Sequence, residues 1–225
     1  GISILGQVGA ARAKAAAAPQ VQAAIGAGSS VNAGGLEMKA YAGDEEGGSK
    51  PMASSLAVAV GGGAGLAVDA SVSDVETDVT VQAVLGASLN VAGDVNIIGG
   101  YRAVQRASGS GVAASLVAAF GYNKATTDHT SRLTITVADS VSGTVSGALK
   151  VDAAGHSDSQ AQSVAGAGGF GAGAAAKADT YTNAQTQVEI GSADGLRAGE
   201  LSVSAAHTTR FNGLVDSTQA AAFGG

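Results

Sequence analysis

The sequence predicts an all-β fold built from stacked, similar layers, and three observations predict it. A short pattern of a small residue, two apolar residues spaced by one, then alanine or glycine returns four times: GGLEMKA (34–40), GDVNIIG (93–99), GALKVDA (147–153) and GELSVSA (199–205). Its anchors Leu36, Val95, Leu149 and Leu201 lie 59, 54 and 52 positions apart, and self-similarity at such a period is the signature of repeat architecture. Each anchor follows a segment in which apolar and polar residues alternate, the periodicity of a strand with one buried face. Valine, threonine, serine and glycine fill these segments, and they suit strands and turns better than helices.

Taken in chain order, the alternating segments end at Ile25, Leu85, Val137 and Ile190. Val21, Ala23 and Ile25 share one face of the first; Val81, Ala83 and Leu85, then Leu133, Ile135 and Val137, then Thr186, Val188 and Ile190 follow. Gln20, Gln22, Thr80, Gln82, Thr134, Thr136, Gln187 and Glu189 fall on the opposite face, so one side is dry and the other wet. About ten residues on, Leu36/Met38, Val95/Ile97, Leu149/Val151 and Leu201/Val203 are expected to point inward. The alanine-rich run at 11–20 is the one stretch with helical propensity. It is short, stops at Pro19, and is read as part of a repeat. An apolar residue followed by glycine recurs at Leu5, Val60, Phe120, Phe170 and Phe223, amid small residues that allow close approach. If equivalent copies stack, Phe120, Phe170 and Phe223 join an internal column. The variable polar segments after each anchor, YAGDEEGGSKPM, YRAVQRASGSG, AGHSDSQAQ and AHTTRFNGLVDS, read as surface loops.

One repeat cannot bury its apolar face alone, whereas stacked copies can. The expected architecture is therefore a single domain over 1–225, a β-solenoid of about four units of roughly 54 residues, approximately 1–55, 56–115, 116–165 and 166–225. One or two layers per unit are both compatible with that length. The competing arrangement is an antiparallel β-sandwich or a fibre of hairpins. Neither end of the sequence has the polar cap a solenoid needs, so a segment of a longer chain or a subunit that stacks end to end is expected.

Composition narrows the function classes. The chain has 225 residues, enough for a sizeable core, with 13% charged residues, 4% aromatics and a net charge of −6. That balance disfavours nucleic acid and anionic membrane as partners. No apolar run reaches the length of a membrane-spanning helix. There is no cysteine, hence no disulfide and no thiolate metal site.

Few residues suggest chemistry. Asp74, Glu76 and Asp78 share a strand face, where oxygen donors could hold calcium, although a solvated face is the simpler reading. Asp44, Glu45 and Glu46 read as a solubilising loop. His129, His156 and His207 are expected in loops or at strand ends. His156-Ser157-Asp158 holds the residue types of a triad, but neighbours in sequence rarely meet in triad geometry. Tyr101, Arg102 and Arg106 could contact a sugar or an anion, with a solvated loop the expected alternative. The glycine runs at 61–65 and 166–173 lack the helix that a phosphate loop needs. No catalytic residue or cofactor is expected.

The combination of VQAAIG-type strands, GGLEMKA-type strands and alanine/glycine-rich stretches resembles the repeats of giant bacterial surface adhesins of the filamentous leukotoxin/haemagglutinin-like kind. The resemblance spans essentially the whole chain. It implies a right-handed parallel β-solenoid, secreted to the cell surface or medium and serving as a non-enzymatic stalk or fibre. It further implies contact with a host surface or matrix glycan elsewhere in such proteins. Unpaired backbone groups at terminal layers predict end-to-end self-association. A carbohydrate-active β-solenoid enzyme and a glycan- or calcium-binding module are the competing functions.

Overall fold

The computed structural model describes residues 6–44, 50–192 and 194–222. Among them there are twelve strands and no helix. The first unit contains β1 (Gly6–Ala17), β2 (Gln20–Ile25), β3 (Ser30–Ala33), β4 (Leu36–Gly43) and β5 (Ala53–Gly63). The second contains β6 (Leu66–Leu85), β7 (Ser88–Val91) and β8 (Val95–Ser115). The third is β9 (Ala118–Val137) and β10 (Ser142–Gly169), and the fourth β11 (Gly171–Ile190) and β12 (Gly195–Ala221). The alternating segments thus end where strands end, at Ile25, Leu85, Val137 and Ile190. The alanine-rich run lies in β1, where pairing with β6 overrides its helical propensity.

Every strand pairing among the described residues is parallel, which sets aside the antiparallel sandwich and the hairpin fibre. One sheet runs β1-β6-β9-β11, with β2 also on β6. The other runs through β8 and β10, with β3, β4, β5, β7 and β12 alongside. Each unit crosses each sheet once and pairs in register with the next unit, giving one layer per unit. Val21 pairs with Val81, Val81 with Leu133 and Leu133 with Thr186. In the second sheet Leu36 pairs with Val95, Val95 with Leu149 and Leu149 with Leu201. The 20-residue strands extend about 65 Å, and four layers stack to about 15 Å.

The two sheets lie face to face, and side-chain volume sets their separation. At one end Leu133, Ile135 and Val137 pack with Val95, Ile97 and Leu149 in the main apolar cluster. A Cβ added to Gly99 would sit 2.9 Å from Leu133 Cδ1, so the glycine makes room for that leucine. At the other end the apolar contacts are Ala67, Ala113, Ala119 and Ala167. There the backbones nearly touch: a Cβ on Gly121 would lie 2.7 Å from the Gly166 carbonyl oxygen, and one on Gly109 2.7 Å from the Lys124 oxygen. The interior is a wedge, wide at the leucine end and narrow at the alanine end.

The wedge explains the corrections. Phe120 and Phe170 are 52% and 59% exposed and do not form an internal column. Phe120 pairs with Val68 and Gly173, and Phe170 lies at the turn between β10 and β11. The narrow end has no space for an aromatic ring, so strand phase turns Gly121 inward and Phe120 outward. Phe223 lies outside the described residues, as do Glu45 and Glu46. The segments expected as loops after Val95, Leu149 and Leu201 are continuous strand in β8, β10 and β12. Their alternating polar residues are in part interior, which the candidate site makes plain.

Substitution at the narrow end should be costly. A Cβ on Gly111 would run into the Asp69 carboxylate and lie 2.8 Å from the Ala59 carbonyl oxygen. Gly111→Ala is expected to destabilise by about 2 kcal/mol or more. Gly213→Ala, whose Cβ meets nothing within 4 Å, should change stability by less than about 0.5 kcal/mol. Urea unfolding of both variants, followed by circular dichroism, measures the contrast.

Candidate functional site

The acidic row is the first candidate. Asp74, Glu76 and Asp78 lie on the outward face of β6, successive members about 6.6 Å apart along the strand. The first layer places cations beside two of them: Arg12 reaches Asp74 Oδ2 at 3.4 Å and Lys14 reaches Glu76 Oε2 at 2.9 Å. A shallow cleft of about 230 Å³ runs between these groups and Thr126 and Asp128. Among the described residues no group of three histidines or carboxylates is arranged to hold a metal ion. What the row accomplishes is to tie layer one to layer two, with each exposed pair worth under about 1 kcal/mol.

The second candidate is interior, and the sequence reading missed it. Strand phase carries inward-facing positions from Leu85 back through Val81, Thr77, Ser73 and Ser71 to Asp69, all buried. The same phase in β8 and β9 buries Tyr101, Gln105, Asn123, His129 and Ser131. Tyr101, expected in a solvated loop beside Arg102 and Arg106, is therefore fully buried, while Arg106 is exposed. His129, His156 and His207 sit within β9, β10 and β12 rather than in loops.

These groups form a hydrogen-bonded band across the middle of the wedge. The Tyr101 hydroxyl lies 2.6 Å from Ser131 Oγ and 3.0 Å from His207 Nδ1. Thr77 Oγ1 lies 2.7 Å from His129 Nδ1. Gln105 Nε2 donates to Thr77 Oγ1 and, at 3.0 Å, to the Asp128 carbonyl. Ser159 Oγ donates to Gln105 Oε1 at 3.2 Å, adding the third layer. Asn123 is a hub: Ser71 donates to its Oδ1 through both N–H (3.0 Å) and Oγ (2.6 Å), while its Nδ2 donates to the carbonyls of Gly111 and Val164. These bonds join the sheets and adjacent layers at once.

Two titratable groups in this interior are incompletely satisfied. Both Asp69 carboxylate oxygens are buried without a hydrogen-bond partner. Glycines flank the residue in its own sheet, at Gly9 and Gly121. Burial pushes Asp69 up to about 6, opposed in part by the Ala70 backbone N–H. His129 Nε2 is likewise unpartnered. Burial pushes this histidine down to about 4, with nearby His207 adding to the shift and Asp78 opposing it. His156, near Arg102 and Arg210, and His207 are also lowered, in both cases chiefly by burial. At neutral pH the band thus contains a neutral imidazole at His129. His156 and Asp158 lie on β10 with Ser157 turned inward and 1% exposed, so the three do not converge.

Among the described residues an apolar cleft of about 370 Å³ lies between exposed Phe120 and Tyr122, with Val68, Gly173 and Gln219 among the other residues that line it. No known family model, curated protein or solved structure matches this chain.

Asp69 and His129 predict opposite pH dependences. The raised Asp69 value contributes stability that is full below about 3.8 and lost as pH rises through about 6. The lowered His129 value contributes stability that is full above about 6.5 and lost as pH falls through about 4. The Tm advantage of Asp69→Asn over the native chain should therefore grow as pH is raised from acid to neutral. That of His129→Gln should grow as pH is lowered through the same range. Thermal melts across pH test both, and differences independent of pH would refute the assignment.

Proposed function

We propose that this chain is a stretch of parallel β-solenoid that acts as a structural stalk or fibre of a surface protein, without catalysis of its own. The observation that carries this reading is the in-register stacking of each unit on the next, with interior polar groups bonded to one another instead of converging on a surface cleft. A wedge filled by short alternating side chains gives length and stiffness at low cost in sequence complexity. The extracellular setting, at the bacterial cell surface or in the medium, rests on the resemblance of the repeats to filamentous haemagglutinin-like adhesins. In that setting the long outer faces, rich in threonine and glutamine, meet solvent or matrix.

The layering has a direct chemical test, because the chain has no cysteine of its own. Ser88 and Ser142 are in register on adjacent layers, with Oγ atoms 3.1 Å apart. Parallel neighbours about 4.8 Å apart fall within the Cα range of a disulfide. The double variant Ser88→Cys/Ser142→Cys is expected to form an intramolecular disulfide under mild oxidation, seen as faster migration on non-reducing gels. Failure of the two thiols to couple in the folded chain would remove the layered reading.

A second reading, a glycan-binding module, is favoured by the Phe120/Tyr122 cleft, since exposed aromatic rings offer flat apolar faces with a polar edge. Soluble oligosaccharides titrated by calorimetry should give heat that Tyr122→Ala abolishes if this reading holds. The structural reading expects no saturable heat and no turnover of acidic polysaccharides.

A further inference from the structure

The narrow end reverses the polarity of the wide end. At the wide end leucine, isoleucine and valine fill the interior, while threonine, glutamine and charged residues face outward. At the narrow end alanine and glycine fill the interior, and the large apolar side chains are outside. Val112 on β8, Leu116 and Val117 at the following turn, and Phe120 and Tyr122 on β9 are each between 45% and 70% exposed. They belong to the second and third layers and lie along the side of the stack, so neither terminal layer enters the argument. Packing within the fold gives no reason for apolar bulk here, and a contiguous exposed apolar patch marks an interaction surface.

Three further features say what covers this edge. No charged residue occurs at 51–68, 107–123 or 159–176, the three segments that round the narrow end. Backbone groups at the turn between β8 and β9 are answered within the protein. Val117 N–H donates to Ser115 Oγ at 3.2 Å, Ala118 N–H to the Gly65 carbonyl at 3.2 Å, and Gly171 N–H to the Val117 carbonyl at 2.9 Å. Hydrocarbon tolerates backbone only where its polar groups are satisfied in this way. Cations begin where the apolar zone stops: Lys124 follows Tyr122 on the same outer face, in one column with Arg12 and Lys177 across Val72. An apolar tip, a tyrosine and a row of basic groups match the order of hydrocarbon, interface and phosphate in a lipid leaflet. The edge is convex with apolar groups on both outer faces, so a rigid flat partner would cover one face at most, whereas lipid closes around both.

We propose that this edge inserts into a lipid surface, entering one leaflet with the strands along the bilayer normal. Tyr122 lies five residues beyond Val117, about 16 Å along the strand, close to half the thickness of a hydrocarbon core. The tip therefore reaches into the membrane without crossing it. Lys124 and Lys177 share Asp179, at 3.9 and 2.9 Å, and the chain carries a net charge of −6, so apolar burial rather than anionic lipid supplies the drive. This goes beyond the structural reading by giving the stalk a lipid-facing edge, and it makes Phe120 and Tyr122 lipid contacts rather than sugar platforms.

The test uses the full 225-residue chain with vesicles of phosphatidylcholine, alone and with added phosphatidylserine. Flotation should recover the native chain with both. Leu116→Asp/Val117→Asp should lower the partition coefficient about tenfold or more, whereas Asn90→Asp/Asn96→Asp, which adds the same charge at the wide end, should leave it nearly unchanged. The chain has no tryptophan, so Leu116→Trp supplies a single reporter. Its emission should shift to the blue on vesicles and be quenched by lipid brominated in its acyl chains, a readout that stands even if the charged variant loses its fold. A native chain that stays soluble, binds only the phosphatidylserine vesicles, or partitions equally well with both turn charges would overturn the proposal. So would an indole that brominated lipid leaves unquenched. A soluble dimer that the turn charges dissociate would overturn it in favour of a second copy, and saturable oligosaccharide heat lost in Tyr122→Ala would overturn it in favour of a glycan.

Discussion

The parallel backbone ladder from each unit to the next is the constraint on which everything else depends. Each residue in a strand is locked to one residue per neighbouring layer, and strand geometry then fixes which face its side chain takes. The 20-residue pairing of β6 with β9 is unbroken, and so is that of β9 with β11. A one-residue slip anywhere along them would expose Val79, Val81 and Leu85 together and bury the charges of Asp74, Glu76 and Asp78. Length differences between units are consequently displaced to the turns and to the irregularity between Val145 and Ala148. The long insertion of the first unit falls between β4 and β5, where the second sheet of that layer is interrupted.

Given that ladder, the sheet separation is decided by what fills each column, and the columns run from leucine and isoleucine to alanine and glycine. The narrow end excludes large apolar groups, so burial of hydrocarbon there is small and contact between backbones is close. In between, hydroxyl and amide side chains fill the gap with hydrogen bonds, each modest in net worth but expensive to leave unmade. Asn123 answers two sheets and two layers simultaneously. Asp69, like His129 Nε2, is an exception, and burial makes its carboxyl harder to ionise. The cradle of Gly9, Gly111 and Gly121 leaves room for the carboxyl and supplies no side-chain donor to it.

Where the alternation was apolar against polar, the fold was legible: the phase and ends of the strands closing at Ile25, Leu85, Val137 and Ile190 follow from period-two counting alone. The anchors Leu36, Val95, Leu149 and Leu201 also occupy one column. What counting by hydrophobicity could not find was a strand whose inward residues are themselves polar. Ser157, Ser159 and Ser163 in β10 look like loop residues by composition, yet they continue the inward phase of Leu149 and Val151. Extending the phase, rather than stopping where apolar residues stop, would have located Asp69, Tyr101, Gln105 and His129. Phe120 misled for the converse reason: a large apolar residue was assigned inward although its neighbours Ala119 and Gly121 hold that face. The acidic row was legible as an outward face, while its partners Arg12 and Lys14 could be found only through pairing between units.

The same residue type is worth different amounts in different layers, and this bears on how such a molecule works. Val95 and Leu149 are essentially inaccessible, while Leu201 in the same column is more than half exposed. In a layered protein stability is close to a sum of unit terms and neighbour terms, so an inner layer draws on two interfaces and an outer one on a single interface. Mechanical and thermal resistance must therefore rise with the number of layers, whereas no individual layer is a self-sufficient domain. A hydrogen-bonded middle band suits that regime, since it fixes which layer follows which without requiring each to carry a large apolar core. Selection on such a chain acts on phase, column volume and turn length, and leaves the identity of most outward residues open. Under the structural role proposed above, the stacked layers would carry the function rather than a pocket along their side.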